Sequence, residues 1–180
     1  MLPAAAGGST CAAFAVALRI ADDDEEVKSF RGISRRFFKA FKQDFLQGIL
    51  IFIFSLVSFG LGGYFVYLAW DSSFNLLKIG LLVIYFFIVL VLNLYSYPLI
   101  ARYSNSFINV LRNSIGLFLQ YLNMSFKTIG LVILELAVLA LTYKIYFAGL
   151  LILPAVIFYT ISRTAKDIFV KLENPAPAEE

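Results

Sequence analysis

The sequence predicts an all-α fold: a polytopic integral membrane helical bundle of about four transmembrane helices, with amphipathic interfacial helices beside them. Three observations carry this. Of 180 residues, 61% are hydrophobic and 15% charged, whereas soluble domains run near half and about a quarter. Mean hydropathy is strongly positive, and a soluble core could not absorb this much Phe, Leu and Ile without exposing large apolar patches. Apolar runs of about 20 residues, enough to cross a bilayer, recur from Gly48 onward.

Residues 1–46 read as a cytoplasmic leader. It opens with the small-residue patch "GGSTCAAFAVALR". Asp22, Asp23, Asp24, Glu25 and Glu26 suit a helix N-terminus, where the dipole favours negative charge. Phe30, Ile33, Phe37, Phe38, Phe41 and Phe45 then form an aromatic stripe among Arg31, Arg35, Arg36, Lys39 and Lys42. A basic amphipathic helix of this kind lies on anionic headgroups, at about 1 kcal/mol per basic residue, with Arg35 and Arg36 as interface anchors. Nucleic-acid binding is the weaker alternative, because the segment runs directly into an apolar run.

Residues 47–163 hold the spans. The first, Gly48–Trp70, contains no charge and carries the small-residue strip Ser55, Ser58, Gly60, Gly62 and Gly63, a signal for close helix contact. In the second, Leu76–Leu99, Lys78 can snorkel to the interface, and Asn93 can hydrogen-bond across helices. Pro98 disfavours helix at Tyr97. Tyr95 and Tyr97 suit the headgroup layer, with Arg102 as an interface anchor at its aqueous edge. Asn105 or Ser106 then caps an interfacial helix near 105–123. Its polar face carries Asn109, Arg112, Asn113, Gly116, Gln120 and Asn123. Phe107, Ile108, Leu111, Ile115, Phe118, Leu119 and Leu122 fill the other face. Arg112, Asn113 and Asn109 are the candidate partner-docking residues. The third span, roughly Ser125–Tyr143, and the fourth, roughly Ile145–Ile161 with Pro154 inside, meet in a tight hairpin at Lys144. Residues 164–180 read as a cytoplasmic tail ending in the polar, Pro-containing "NPAPAEE", expected to be disordered.

All of the 15 basic residues except Lys78 and Lys144 fall on one side of these spans. The positive-inside rule assigns that side, and both termini, to the cytoplasm. Glu135, in "LVILELAVLAL", is the one acidic residue deep in a span. Such a residue is a functional candidate by default, as a proton carrier or substrate contact; the plainer alternative is a carboxyl hydrogen-bonded to a neighbouring helix. Asn93 is the other candidate functional intramembrane residue, a structural hydrogen bond across helices being its favoured reading.

The chain has no histidine and one cysteine, Cys11. That excludes His-based acid–base catalysis, Ser-His triads, His-ligated zinc and an internal disulfide. With no nucleophile–base pair and no phosphate-binding glycine loop, no catalytic, cofactor-binding or metal residues are expected, and the chain does not read as an enzyme. No basic residue precedes the short apolar stretch around Cys11, which argues against a lipoprotein or cleaved signal.

Three strings resemble the YesL-like bacterial integral membrane proteins, a family of unknown function: "GGSTCAAFAVALR" with "DDDEE", "FKAFKQDF" at Phe38–Phe45, and "YSYPLIARYSNS" followed by "LRNS". The third is the most specific. Family members usually have a further apolar helix before the small-residue patch, so the chain reads as N-terminally shortened. The resemblance implies a location in the bacterial plasma membrane and an association with ABC-type carbohydrate uptake. Sugar-transporter subunits or self-association are then the expected partners, and no family catalytic residues carry over. A small transporter using Glu135 is the alternative.

Overall fold

The computed structural model describes residues 2–71, 76–103, 105–142 and 148–174. The expected Lys144 hairpin tip, Ser104 and the tail after Asn174 lie outside the described residues. The described residues are almost all helical, with no strand among them. In order it forms α1 (Leu2–Ala21), a 3-10 turn (Glu25–Lys28), α2 (Phe30–Asp71), α3 (Leu76–Arg102), α4 (Phe107–Gln120), α5 (Leu122–Thr142) and α6 (Ala148–Glu173). Three of these, α2, α3 and α5, are long and apolar enough to cross a membrane. The fourth expected span begins outside the described residues; α6 starts at Ala148 and keeps Pro154 inside it.

The acidic run does not open a long helix. It closes α1. Asp23 takes the left-handed conformation, φ 55°, which a short polar side chain tolerates. Its amide donates to the Ile20 carbonyl and the Asp24 amide to the Arg19 carbonyl, the paired bonds of a Schellman end. Asp24 then caps the 3-10 turn through the Glu26 amide. The Ser29 hydroxyl accepts from the Gly32 amide and starts α2.

From Phe30, α2 runs unbroken for 42 residues, about 63 Å. No helix break separates the basic amphipathic segment from the first expected span. α1 lies antiparallel along the first half of α2. Gly7 and Gly48 meet backbone to backbone, and a Cβ at Gly7 would stand 2.3 Å from the Gly48 carbonyl oxygen. Further along, Ala12, Ala15 and Ala40 interlock. The small-residue patch is therefore a close helix crossing, and Cys11 is buried in it. The other side of α1 is buried too: Phe14 stacks on Tyr97 of α3, centroids 6.0 Å apart, and meets Phe158 of α6 edge-on at 4.8 Å. Thus α1 is an interior helix, framed by α2, α3 and α6.

Two expectations for the end of α3 and one for the tail need correction. The helix passes Pro98 and continues to Arg102. Pro98 is fully buried, and packing overrides the local preference at Tyr97. Tyr95 and Tyr97 are buried core residues, packed inside the protein. A buried tyrosine needs a partner for its hydroxyl, and Tyr95 finds the Ser125 hydroxyl at 2.6 Å. The stretch expected as a tail is the second half of α6, where Ala165, Ile168 and Phe169 are completely buried. Phe158, Ile161, Ala165 and Ile168 recur every three or four residues, which keeps that stretch helical and docked.

Burial changes abruptly along α3. From Leu76 to Leu90 many large apolar side chains point outward; from Val91 to Ile100 every position except Asn93 is buried. The molecule thus has a dense base, built from α1, the ends of α3 and α6, the start of α2 and α4. Above it stand two hairpins with apolar outer surfaces, α2–α3 and α5–α6. Ser55, Ser58 and Gly62 line the α2–α3 seam, while Gly60 and Gly63 face open space.

Candidate functional site

The polar chemistry concentrates in the base. The ends of α1, α3 and α6 converge there, because Arg102 and Lys166 reach Asp22 at 3.5 and 3.8 Å. Lys166 also donates to the Ala21 carbonyl at 2.6 Å, satisfying an orphan acceptor at the end of α1. Arg102 holds Glu173 with two parallel bonds, Nε to Oε1 at 3.1 Å and Nη2 to Oε2 at 2.9 Å. This fork is the strong form of the pair. Tyr103 adds a 2.6 Å bond to Glu173 Oε1, and the guanidinium lies over the Phe169 ring at 5.5 Å. Arg102 is therefore the clasp between α1, α3 and α6. The Arg102 and Tyr103 hydrogen bonds hold the Glu173 carboxyl below its ordinary range. Burial first, then the neighbouring Glu173 carboxylate, pushes the Tyr103 hydroxyl up to about 12.

Beside the clasp is an open groove of about 610 Å³ between α4 and the ends of α3 and α6. Arg112, Asn113 and Gln120 line its α4 wall, and Tyr103 and Glu173 line the other. Asn109 stands outside it, exposed. Ser106 caps α4 through its backbone alone: its carbonyl accepts from the Val110 amide, and its side chain makes no capping bond. The face α4 turns to the bundle is Val110, Ser114, Leu117 and Phe118. Ile108, Ile115 and Leu119, from the apolar face, are exposed.

A second, smaller cavity of about 220 Å³ lies where α1 ends, among Arg19, Asp22, Arg36 and Arg102. Arg36 lines it, and the Nε of Arg36 is buried without a hydrogen-bond partner among the described residues. Arg35, its neighbour, is exposed.

In the hairpins, Asn93 accepts from the Ser55 hydroxyl at 2.6 Å and donates to the Val89 carbonyl at 2.8 Å, tying α2 to α3. Glu135 accepts from the Thr160 hydroxyl at 2.5 Å. Its second oxygen is buried with no partner among the described residues. One turn of α6 nearer the base, Thr128 and Thr164 meet hydroxyl to hydroxyl at 2.7 Å. Sequence reasoning missed Asp22, Glu173, Tyr103 and Thr160 as partners. Thr160 and Thr164, four apart and on one helix face, were the available signal for a polar seam; nothing local pairs Glu173 with a residue 71 positions away.

Comparison of the chain with family models, characterised proteins and solved structures found no match.

Proposed function

We propose that this chain is a non-enzymatic accessory membrane protein that docks a partner on its base, and that the partner is a subunit of an ABC-type sugar uptake system. The sugar-uptake association rests on the resemblance of "YSYPLIARYSNS" and the acidic and phenylalanine strings to the YesL-like family. The docking role rests on the groove, where Arg112, Asn113 and Gln120 form an open polar wall beside a rigid clasp. Four spans, with α6 as the fourth and both ends in the cytoplasm of a bacterial cell, fit the distribution of basic residues. Reporters fused after Lys144 should then read external and those after Lys171 internal; an external C-terminus would reverse the orientation.

Pull-down from native membranes tests the docking role. Transporter subunits should be retained by the wild type and lost with Arg112→Glu, while insertion is unchanged. Retention of the same subunits by Arg112→Glu would remove the groove from the interface. Recovery of no transporter subunit with the wild type would sink the reading. The unpartnered oxygen of Glu135 supports a second reading, a small transporter in which this carboxyl contacts proton or substrate.

A further inference from the structure

We propose that the cavity at the end of α1 binds one phosphate-class oxyanion, held by Arg36; the already paired Arg19 and Arg102 line the same cavity. The argument begins with charge. Arg19 is paired with Asp24 at 2.8 Å and Arg102 with Glu173 at 2.9 Å. Asp22 is shared between Arg102 and Lys166. Of the four cations, counting Arg36, Arg36 alone has no carboxylate within ion-pair distance among the described residues; Asp24 and Asp44 act on it from farther away. The second observation is geometric. A buried donor without an acceptor is costly and uncommon, and Arg36 Nε is such a donor. The third is space. Ala15 and Ala101 floor the cavity and leave about 220 Å³ open, several times the share of one water, about 30 Å³. A guanidinium fork matches the oxygens of a phosphate.

The shared chemistry is a phosphate oxyanion, and it has two sources: a free phosphate or the headgroup of an anionic lipid. This proposal is independent of partner docking at the α4 groove. The test uses the full chain in an uncharged, phosphate-free detergent, reading the thermal unfolding midpoint at constant ionic strength. One arm titrates inorganic phosphate; the other titrates phosphatidic acid, with diacylglycerol as the uncharged control. A saturable rise with inorganic phosphate assigns a free anion. A rise with phosphatidic acid alone assigns a headgroup. In either case Arg36→Gln should weaken half-saturation about tenfold or more, while Arg35→Gln leaves it within about twofold. No saturable rise with either probe overturns the proposal, as does equal weakening by Arg35→Gln and Arg36→Gln, which would mark general surface charge. Should Arg36→Gln not fold, Arg36→Lys keeps the charge but loses Nε; binding as tight as wild type would overturn the proposal equally.

Discussion

The α1–α2 crossing gives the most direct test of the architecture. At Gly7 a Cβ would lie 2.3 Å from the Gly48 carbonyl oxygen and 2.7 Å from its carbon. Ordinary contact begins near 3.4 Å, so Gly7→Ala falls about 1 Å short of fitting, on the steep repulsive side of the potential. The obstructing atoms are helix backbone, so no side chain can rotate away. Instead the helices must separate, loosening the packing of Cys11, Phe14, Ala15 and Leu18 behind them. Overpacking of this kind costs about 1–3 kcal/mol. For a chain of this size each kcal/mol moves the unfolding midpoint by roughly 2–4 °C, so a fall on the order of 5 °C is expected. Gly60→Ala is the control. It meets nothing within 4 Å and should be neutral or slightly stabilising through helix propensity. The assay is thermal unfolding of the purified full chain in detergent. If Gly7→Ala and Gly60→Ala unfold together, α1 does not cross α2 at these glycines, and the reading of the small-residue patch as a close crossing fails.

The Glu173 clasp predicts a pH dependence. Its carboxyl is held below the ordinary value, so the stability it contributes is present above about pH 4.3 and is lost as pH falls through the lower folded value. The midpoint difference between wild type and Glu173→Gln should be full at pH 7 and shrink below about pH 4; a difference unchanged through that range would contradict the clasp. Glu135→Gln should fold within about 1 kcal/mol of wild type, because the glutamine carbonyl still accepts from Thr160. Loss of sugar-dependent growth with folding intact would favour the transport reading over the structural one.

The all-helical class, the three apolar helices and the short amphipathic helix after "YSYPLIARYSNS" were legible in the sequence, because each rests on a run length or a helical period. The burial of Leu2–Ala21 was not. Alanine, glycine and serine carry little hydropathy, so a close-packed interior helix resembles a weakly apolar leader; its identity lies in what Gly7 touches, 41 positions away at Gly48. The same limit hid the clasp. Arg102 at the end of an apolar run reads as a headgroup anchor until Glu173 is placed beside it. Asn93 and Glu135 were legible as polar residues in apolar surroundings, but their partners Ser55 and Thr160 were not, since a hydroxyl on an apolar helix is common and only the fold selects which one is used.

The turn of α4 explains why the base can offer a polar groove directly beside apolar surface. At 100° per residue, Ile108, Ile115 and Leu119 fall within about 20° of one line, Arg112, Gly116 and Gln120 follow at about 40°, 80° and 120° from it, and Val110, Ser114, Leu117 and Phe118 lie on the remaining side. The last set is buried against the bundle, where Ser114 meets Ser96 of α3 at 3.1 Å and Phe118 meets Phe87 edge-on. The first set is exposed and apolar. A helix with only two faces would have to choose between core and membrane. With three, one side anchors to α3, one can meet acyl chains, and the third is left to face water across the groove. Arg112 is at the edge of that third side, where it lines the groove, and among the described residues no ion pair engages it. Arg102 differs in this respect, since Glu173 and Asp22 already occupy its guanidinium. Of the two arginines that flank the "YSNS" stretch, Arg112 is therefore the one whose charge remains available to a partner.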